Sequence, residues 1–347
     1  MSQKVVVLGA GFLGVNAALD LASNGEEVLL LDRQDTHEYI PSSIDLLRGR
    51  VQRQELEIEL EEFLPEEVEF KQVEVEDIRS EEKTVETRNG LIGFDKIVIA
   101  LGGEPAEFGA DISQAENVWG LEPAQNLTRK TEDVESALIV GAGYVGVETA
   151  GELEEKGIDV TMVDAGTRPM GRLDEKSSEK ILEILQEKNI CFKGGKTVNQ
   201  VDENSVSFED GGKEESDVVI WAAGVQASKT VQEIFDSGPQ GVEVNQGLSV
   251  IGEDNMFAGG DCADIEPPKT AHKAMKQGEV VAENIYSDRE SLKQIESGQN
   301  FLLLSFGDEA GLVFRDKLLF SSGFLRYFKD LVKTYYFTRL RIKKFLV

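Results

Sequence analysis

The segment KVVVLGAGFLG, residues 4–14, decides the fold of this chain. An apolar run leads into a glycine-rich turn, and a helical stretch and a second apolar run follow before Asp32. In such a unit Gly9 makes the tight turn, Gly11 admits a pyrophosphate and Gly14 lets the helix pack on the strand. The segment therefore predicts a dinucleotide site in which Asp32 binds a ribose.

The same unit occurs a second time, in ALIVGAGYVG at residues 137–146, where the glycines are Gly141, Gly143 and Gly146. Asp164 lies 23 residues after Gly141, the distance that also separates Asp32 from Gly9. The strand, helix and acid around each turn favour a ligand site over a turn that only reverses the chain. The repeat predicts an α/β fold with two Rossmann-like, three-layer dinucleotide-binding domains.

The charge of the chain bears on its partners. Its 347 residues include 36 basic and 65 acidic ones, for a formal net charge of −29. One interpretation is a solvated surface that tolerates high salt, and the other is an acidic docking surface. Either one argues against a nucleic-acid partner, because phosphate binding needs positive patches.

Cysteine content and hydropathy indicate the compartment. Two cysteines are too few for a disulfide framework and fit a reducing environment. The chain begins with a strand rather than with an apolar signal segment, and it has no run of 18 apolar residues. We expect a cytoplasmic protein with no membrane-spanning helix and, from its residue pattern, no metal site.

Two dinucleotide sites in one chain indicate FAD and a nicotinamide cofactor. The order of motifs resembles the pyridine nucleotide-disulfide reductase superfamily, which binds FAD at the first site and NAD(P)H at the second. IVIALGG at 97–103 resembles the strand that joins the two domains, and VIWAAG at 219–224 its counterpart. NMFAGGDCAD at 255–264 resembles the second FAD motif, in which the aspartate matching Asp261 binds the ribityl chain.

The resemblance implies further cofactor-binding residues. Besides the six turn glycines and the two acids, they are Arg33, Ala100, Gly102, Gly224, Gly260, Asp261 and Ala271. A carboxylate at Asp164 favours the free ribose 2′-hydroxyl of NADH over the phosphate of NADPH. Arg168 leaves some use of NADPH open.

Within the superfamily the chain resembles the type II NADH dehydrogenases, single-subunit NADH:quinone oxidoreductases that do not pump protons. GAGYVGVETAGEL at 141–153 resembles their NADH motif, and Glu148 matches the family glutamate near the nicotinamide and the flavin. A surface carboxylate on the helix is the alternative interpretation of Glu148. Residues 37–49 lack the cysteine pair of the disulfide reductases, which excludes dithiol chemistry there.

The segment TAHKAMKQG at 270–278 resembles the family's quinone-binding helix. Its N-terminus is expected to face the flavin. His272 and Lys276 replace two family glutamines, whereas Gln277 and Gly278 match the pattern. We predict Glu148, His272, Lys276 and Gln277 as the catalytic residues. A solvent-facing polar side is the alternative for this helix.

The end of the chain, GFLRYFKDLVKTYYFTRLRIKKFLV at 323–347, reverses the charge. From Lys317 onwards there are eight basic residues and one acid. On a helical wheel Arg326, Lys329 and Lys333 share one side, and Phe324, Phe328, Leu331 and Tyr335 share the other. We predict a helix that lies on an anionic membrane, with rings in the acyl boundary and cations at the headgroups. Packing on the body or on a partner subunit is the alternative.

These features predict four segments. They are the first part of an FAD-binding domain (1–115), an NADH-binding domain (116–235), the second part of the FAD-binding domain (236–300) and a C-terminal hairpin with a basic amphipathic membrane-docking helix (301–347). The resemblance implies hydride transfer from NADH to FAD, then two electrons to a membrane quinone. We expect a peripheral protein on the inner face of the cell membrane, and a homodimer is possible.

Three alternatives stay open at this point. The first is a soluble reductase of a ferredoxin- or rubredoxin-type carrier, and the second is an NADH-sensing flavoprotein without catalysis. The third is a sulfide:quinone oxidoreductase, which needs paired cysteines. Cys191 is predicted to be buried in a strand of the NADH domain and Cys262 to lie near the flavin, so the two would not form a pair.

Overall fold

The computed structural model describes residues 4–266, 269–287, 292–295 and 301–345. The strands, in chain order, are β1 (Val5–Leu8), β2 (Val28–Asp32), β3 (Thr36–Glu38), β4 (Glu57–Glu59), β5 (Val68–Gln72), β6 (Val75–Arg79), β7 (Thr84–Thr87), β8 (Gly90–Gly93), β9 (Lys96–Ile99), β10 (Gly103–Pro105), β11 (Ser136–Val140), β12 (Asp159–Asp164), β13 (Cys191–Gly194), β14 (Val198–Asp202), β15 (Ser205–Phe208), β16 (Lys213–Glu215), β17 (Val218–Trp221), β18 (Val225–Ala227), β19 (Val242–Glu243), β20 (Met256–Ala258), β21 (Ala263–Asp264), β22 (Phe301–Phe306), β23 (Glu309–Phe314) and β24 (Lys317–Ser322).

The α-helices are α1 (Phe12–Ser23), α2 (Leu60–Phe63), α3 (Leu121–Lys130), α4 (Tyr144–Glu154), α5 (Glu175–Glu187), α6 (Lys229–Ile234), α7 (Ala271–Asn284) and α8 (Gly323–Lys343). Short 3₁₀ helices span Ile40–Arg48, Arg53–Glu55 and Gly260–Cys262.

Each glycine-rich unit forms the centre of a parallel sheet, as the repeat predicts. The first sheet has the strand order β20-β9-β1-β2-β5, and the second has the order β13-β12-β11-β17. Strands β1 and β17 are buried along their whole length, which explains why their sequences are continuous apolar runs. Helices α1 and α4 follow the central strand of their sheets, so the fold is α/β with two Rossmann-like units.

In the sequence, all four strands of the second sheet lie between β10 and β18. These two strands pair with each other in antiparallel fashion. The chain therefore leaves the first unit through β10 and returns to it through β18. This arrangement agrees with an NADH-binding segment inserted into the FAD-binding segment. The predicted boundaries themselves stay predictions.

The residue pattern predicts a helix over the acid-rich stretch 55–67 and an antiparallel strand over 68–75, and both local predictions are wrong. The acid-rich stretch 55–67, expected to be helical, contains β4 and only the single turn α2, because Leu56, Ile58 and Leu60 alternate with acids and are all buried. The stretch 68–75 was expected to pair in antiparallel fashion. Its first part, β5, instead pairs in parallel with β2 at the edge of the first sheet.

The C-terminal segment contains a three-stranded antiparallel sheet of β22, β23 and β24, one strand more than the predicted hairpin. Leu304 and Phe306 of β22 are buried in the same hydrophobic core as Val147 and Ala150 of α4. Helix α8 then crosses the molecule, and its first turn is capped by Ser322, whose hydroxyl accepts from the backbone N–H of Leu325.

Candidate functional site

Both glycine-rich turns have the same geometry. Gly9 and Gly141 have φ values of +98° and +107°, in the left-handed region that favours glycine. A Cβ atom at either position would overlap the backbone that follows the neighbouring strand, at Ala100 and Ala222 respectively. Each turn therefore passes directly over the end of a strand, a path that only glycine permits.

The other glycines of the two turns have distinct tasks. A Cβ atom at Gly14 or Gly146 would overlap the carbonyl oxygen of the first glycine of its turn, so these positions allow close packing of helix on strand. At Gly11 and Gly143, which cap α1 and α4, a Cβ atom would meet nothing within 4 Å. Open space at a helix N-terminus, where free N–H groups point, fits a pyrophosphate. The residues present therefore fit both predicted dinucleotides.

The two predicted ribose-binding acids are also equivalent. Oδ2 of Asp32 accepts from the N–H of Ala10 at 2.6 Å, and Oδ2 of Asp164 accepts from the N–H of Ala142 at 2.6 Å. The other oxygen of each accepts the N–H two residues further on, at 2.8 and 2.7 Å. Burial raises the pKa of Asp32. Each carboxylate supports its own turn and has further lone pairs for ribose hydroxyls.

The predicted second FAD motif forms a buried turn after β20. The N–H of Gly260 donates to Oε1 of Gln277 at 2.7 Å, and Lys269 donates to the carbonyl of Asp261 at 2.7 Å. Burial raises the pKa of the Asp261 carboxyl. Gln277 is only 2% exposed, and its amide oxygen supports this turn. Its catalytic role stays a prediction.

The remaining predicted cofactor-binding residues lie at element ends. Ala100 follows β9 and is buried, and Gly102 has a φ of +68° with nothing within 4 Å of its missing Cβ. Gly224 follows β17 with a φ of +143°. Ala271 is the first residue of α7, and Arg33 is exposed just after β2.

His272 and Lys276 lie on the exposed side of α7. Lys276 donates to Glu279 at 2.8 Å, and Glu279 also accepts from Arg339 of α8 at 2.8 Å. His272 lines a small cleft together with Tyr144 of the second glycine-rich turn. The structure thus brings His272 beside the predicted NADH turn and connects Lys276 to α8 through Glu279.

Glu148 lies on α4 and faces α8. Its Oε1 accepts from Lys329 at 2.8 Å and from the backbone N–H of Ser305 at 2.8 Å. Lys329 also donates to the hydroxyl of Ser305 at 3.0 Å. The side chains of Glu148 and Lys329 are only 13% and 9% exposed, so Glu148 is not a surface carboxylate. The three residues form a closed hydrogen-bonded group between α4, β22 and α8.

A second group of charges lies beside this one, and the sequence analysis missed it. Arg326 of α8 donates to Asp45 and lies 3.9 Å from Glu152 of α4. Arg50 donates to Glu152 at 3.0 Å. Burial raises the pKa of Glu152, and the two arginines oppose that shift. Several polar atoms of Arg326, Asp45 and Glu152 are buried without a hydrogen-bond partner in the described structure.

The basic side of α8 faces the body of the protein, so for Arg326, Lys329 and Lys333 the predicted position at lipid headgroups is wrong. Arg326, Lys329 and Lys333 are 7–8% exposed. Near the other end of the helix, Lys343 donates to Asp20 of α1. The cause is the acidity of the body, which supplies the carboxylates that pair with Arg326, Lys329 and Lys343.

The outward side of α8 is apolar, and we call it the apolar face. Its exposed residues, including one just after the helix, are Phe324, Tyr327, Phe328, Leu331, Val332, Tyr335, Ile342 and Phe345. Leu319 and Phe320 of β24 are exposed as well. A contiguous exposed surface of this kind marks an interaction site in most proteins. In the described part of the chain, no helix combines the length and apolarity needed to cross a bilayer.

The two cysteines lie in different units. Cys191 begins β13, the edge strand of the second sheet, and is exposed rather than buried as predicted, because an edge strand leaves one side to solvent. Cys262 is buried, and burial raises the pKa of its thiol to about 11. The structure does not bring them together.

Known proteins resemble the chain over most of its length. Residues 3–278 match the family described as pyridine nucleotide-disulphide oxidoreductase. A type II NADH:quinone oxidoreductase of Staphylococcus aureus is 30% identical, over 90% of this chain and 90% of that protein. The chain belongs to the type II NADH:quinone oxidoreductases. As a member of this family it is an FAD-dependent NADH dehydrogenase.

Solved structures agree with the fold of this type II oxidoreductase. The sulfide:quinone oxidoreductase of Aquifex aeolicus has a TM-score of 0.87 at 20% identity, covering 99% of this chain and 92% of that one. NDH2 of Plasmodium falciparum in complex with NADH has a TM-score of 0.85 at 16% identity, covering 100% and 97%. At these identities the likeness concerns the fold alone. The family, not the fold, favours NADH dehydrogenase activity over carrier reduction, sulfide oxidation or sensing.

Proposed function

We propose that this type II oxidoreductase passes electrons from NADH to a quinone that reaches it from a membrane surface beneath α8. The observation that carries the proposal is the position of the Glu148–Lys329 pair. The pair joins α4, which begins at the NADH turn, to α8, whose opposite side is the apolar face. It therefore lies between the binding region of the donor and an apolar surface.

Bound FAD supplies the acceptor for the hydride and the carrier for two electrons. The chain itself provides the two dinucleotide sites. The open space at Gly11 and Gly143 and the acids Asp32 and Asp164 support FAD at the first turn and NADH at the second. Tyr144 and His272, which line one cleft, support a position of the nicotinamide near the N-terminus of α7.

Quinone reduction needs a proton from the solvent. NADH supplies two electrons and one proton, whereas a quinol gains two electrons and two protons. We assign the delivery of the second proton to the Glu148–Lys329 pair, because it is largely buried and hydrogen-bonded through Ser305. The neighbouring charges of Glu152 and Arg50 extend toward the solvent at Asp308, which is 61% exposed.

The apolar face supports docking on a membrane as a peripheral protein. Its aromatic and aliphatic side chains would enter the boundary between headgroups and acyl chains. Several cations of α8 pair with carboxylates of the body, so apolar burial rather than charge would supply most of the binding free energy. We place the protein on the inner face of the cell membrane.

Two structural predictions belong to the same proposal. The boundaries at residues 115 and 235 are supported by the second sheet, whose strands all lie between β10 and β18 in the sequence. The boundary at residue 300 is supported by the separate sheet of β22, β23 and β24, which begins at Phe301. A homodimer is possible through the same apolar face, in which case the face would be covered by a second copy instead of lipid.

The experiment is anaerobic stopped-flow spectroscopy of the FAD-loaded protein. NADH should bleach the visible absorbance, and a quinone should restore it. Bleaching that only an iron–sulfur or rubredoxin-type carrier reverses would point to the carrier reductase instead. The absence of bleaching would point to a sensor without catalysis.

A further inference from the structure

The FAD turn is held by His37, a residue outside its own strand–turn–helix–strand unit. Ala10 stands between Gly9 and Gly11, and its carbonyl accepts a hydrogen bond from Nδ1 of His37 at 2.8 Å. The N–H of the same residue donates to Asp32. Both backbone polar groups of Ala10 are therefore fixed by side chains.

His37 in turn is fixed by α8. A carbonyl oxygen can only accept, so Nδ1 carries the proton and the unprotonated Nε2 accepts from the hydroxyl of Tyr336 at 2.8 Å. His37 and Tyr336 are 1% and 3% exposed. Burial lowers the pKa of His37 to about 4, which keeps the ring neutral and this tautomer in place near pH 7. The carbonyl, the imidazole and the phenol form one buried chain of hydrogen bonds.

Ring packing supports the same connection from the other side of the turn. Phe12 directly follows Gly11, and its ring centre lies 5.1 Å from that of His37 and 5.2 Å from that of Tyr336. The contact with His37 is edge-to-face, with an interplanar angle of 79°. Gly11 thus lies between two residues that are connected to α8. Ala10 is connected through the hydrogen bonds of His37, and Phe12 packs against Tyr336.

Peptide geometry connects this chain of hydrogen bonds to the space where the cofactor would bind. The carbonyl of Ala10 and the N–H of Gly11 belong to one planar trans peptide, so they point in opposite directions. When His37 holds the carbonyl inward, the N–H of Gly11 is directed outward, into the open space at the start of α1. That space is where a pyrophosphate fits.

The NADH turn is built differently. The equivalent carbonyl, that of Ala142, accepts from the backbone N–H of Met170 at 2.7 Å. The second turn is therefore held within its own unit, whereas the first is held by His37 of β3, which in turn bonds to Tyr336 of α8. Since the two turns otherwise match, the difference is a property of the FAD site alone.

We propose that His37 and Tyr336 are positioning residues for FAD, which make retention of the cofactor depend on α8. They contact residues of the turn, and they act by directing the N–H of Gly11. Nothing in this inference requires a membrane or a quinone, so it stands apart from the proposed function.

The test uses the FAD-loaded protein diluted until FAD dissociates, with the fluorescence of released FAD as readout. Tyr336→Phe keeps the ring and removes the hydroxyl, which leaves Nε2 of His37 buried without a donor. We expect the Kd for FAD to rise about tenfold, in line with the loss of one buried hydrogen bond. The KM for NADH should stay within about twofold, because the NADH turn has its own support.

Tyr335→Phe is the matched control. Tyr335 is the neighbouring residue on α8 and is 69% exposed, so loss of its hydroxyl should leave the Kd for FAD unchanged. An equal rise in both variants would overturn the proposal. So would a Tyr336→Phe protein that melts at a lower temperature but keeps the Kd of the wild type, since a merely structural role predicts that result.

His37→Asn provides a second, independent variant. Its side-chain amide can replace Nδ1 as donor to Ala10 but offers nothing at the place of Nε2. We expect a rise in Kd similar to that of Tyr336→Phe, and no further rise when the two changes are combined. Fully additive effects on the Kd would show that the two residues act separately. That result would overturn the proposal that they act through one chain of hydrogen bonds.

Discussion

Lys329 of α8 and Glu148 of α4 lie 181 positions apart in the sequence and form a hydrogen-bonded ion pair at 2.8 Å. The pair shares the backbone and the hydroxyl of Ser305. It connects the helix of the NADH turn to the helix with the apolar face, and so it joins the two ends of the proposed electron path.

Glu148→Gln should slow quinone reduction about a hundredfold, the usual scale for loss of a proton-transferring group. Ferricyanide accepts electrons without protons, so the rate of NADH oxidation with ferricyanide should change little. Steady-state kinetics with both acceptors checks this. Glu183→Gln, at an exposed ion pair on α5, is the control and should affect neither rate. An equal loss with both acceptors would contradict proton delivery by Glu148.

Asp164→Asn should reduce the preference for NADH over NADPH, because a neutral amide no longer repels a 2′-phosphate. The Asn oxygen can still accept from Ala142, so the turn should keep its shape. We expect the ratio of kcat/KM for the two cofactors to fall about tenfold, the effect of roughly 1.4 kcal/mol. If the ratio measured by steady-state kinetics is unaltered, Asp164 is not the selector.

Leu331→Glu should weaken binding to vesicles about tenfold or more, because it removes one large side chain from the apolar face and adds a charge. Sedimentation with vesicles that contain anionic lipids measures the effect. Leu91→Glu is the matched control, since Leu91 is 57% exposed on β8. Deletion of 323–347 is a poorer test because it also unpairs Asp45 and Glu148. Equal binding by both variants would argue against docking through α8.

His37 predicts a pH dependence of stability. Its pKa is about 4 in the fold and near 6.5 in the unfolded chain, so the unfolded state binds more protons between these values. The contribution of neutral His37 to the free energy of unfolding is fully present above pH 6.5. The free energy of unfolding falls by about 3 kcal/mol as the pH falls to 4. The gap in melting temperature between the wild type and His37→Asn should therefore narrow over this range. His272→Asn, at the exposed histidine, should show a much smaller change, and parallel curves for wild type and His37→Asn would refute the assignment.

The sequence predicts the two nucleotide turns because the residues that form each turn lie within one short segment of the chain. Gly9 and Asp32 belong to one strand–turn–helix–strand unit, and the second copy repeats its spacing around Gly141 and Asp164. The length of such a unit is set by the helix and the two strands, so the acid returns to the turn in both copies.

The sequence also predicts α8 as a helix with a basic and an apolar side, but not which side faces inward. Which side faces inward depends on the residues that α8 packs against, and the sequence contains one signal for these residues. Glu148 and Glu152 are four residues apart on α4, and Arg326 and Lys329 are three apart on α8, spacings that place each pair on one helical face. Two complementary faces predict packing of the basic side on the body.

The connection between His37 and the FAD turn has no comparable signal. It depends on the tautomer of a buried ring and on a tyrosine 299 positions away. Long-range hydrogen bonds of this kind follow from the tertiary structure alone. For the same reason, the hydrogen bond between Gly260 and Gln277 could not be predicted from the sequence.

The inward-facing cations of α8 have a consequence for biosynthesis. The ribosome makes α8 after the described elements that it contacts, and Lys343 pairs with Asp20 at a sequence separation of 323 residues. Contacts of such long range are slow to form, because a long loop must first close. Until α8 is complete, Asp45 and Glu148 lack their cationic partners, and His37, which holds Ala10, lacks its hydrogen bond from Tyr336. From the proposed role of His37 and Tyr336, we expect stable loading with FAD to follow translation of α8.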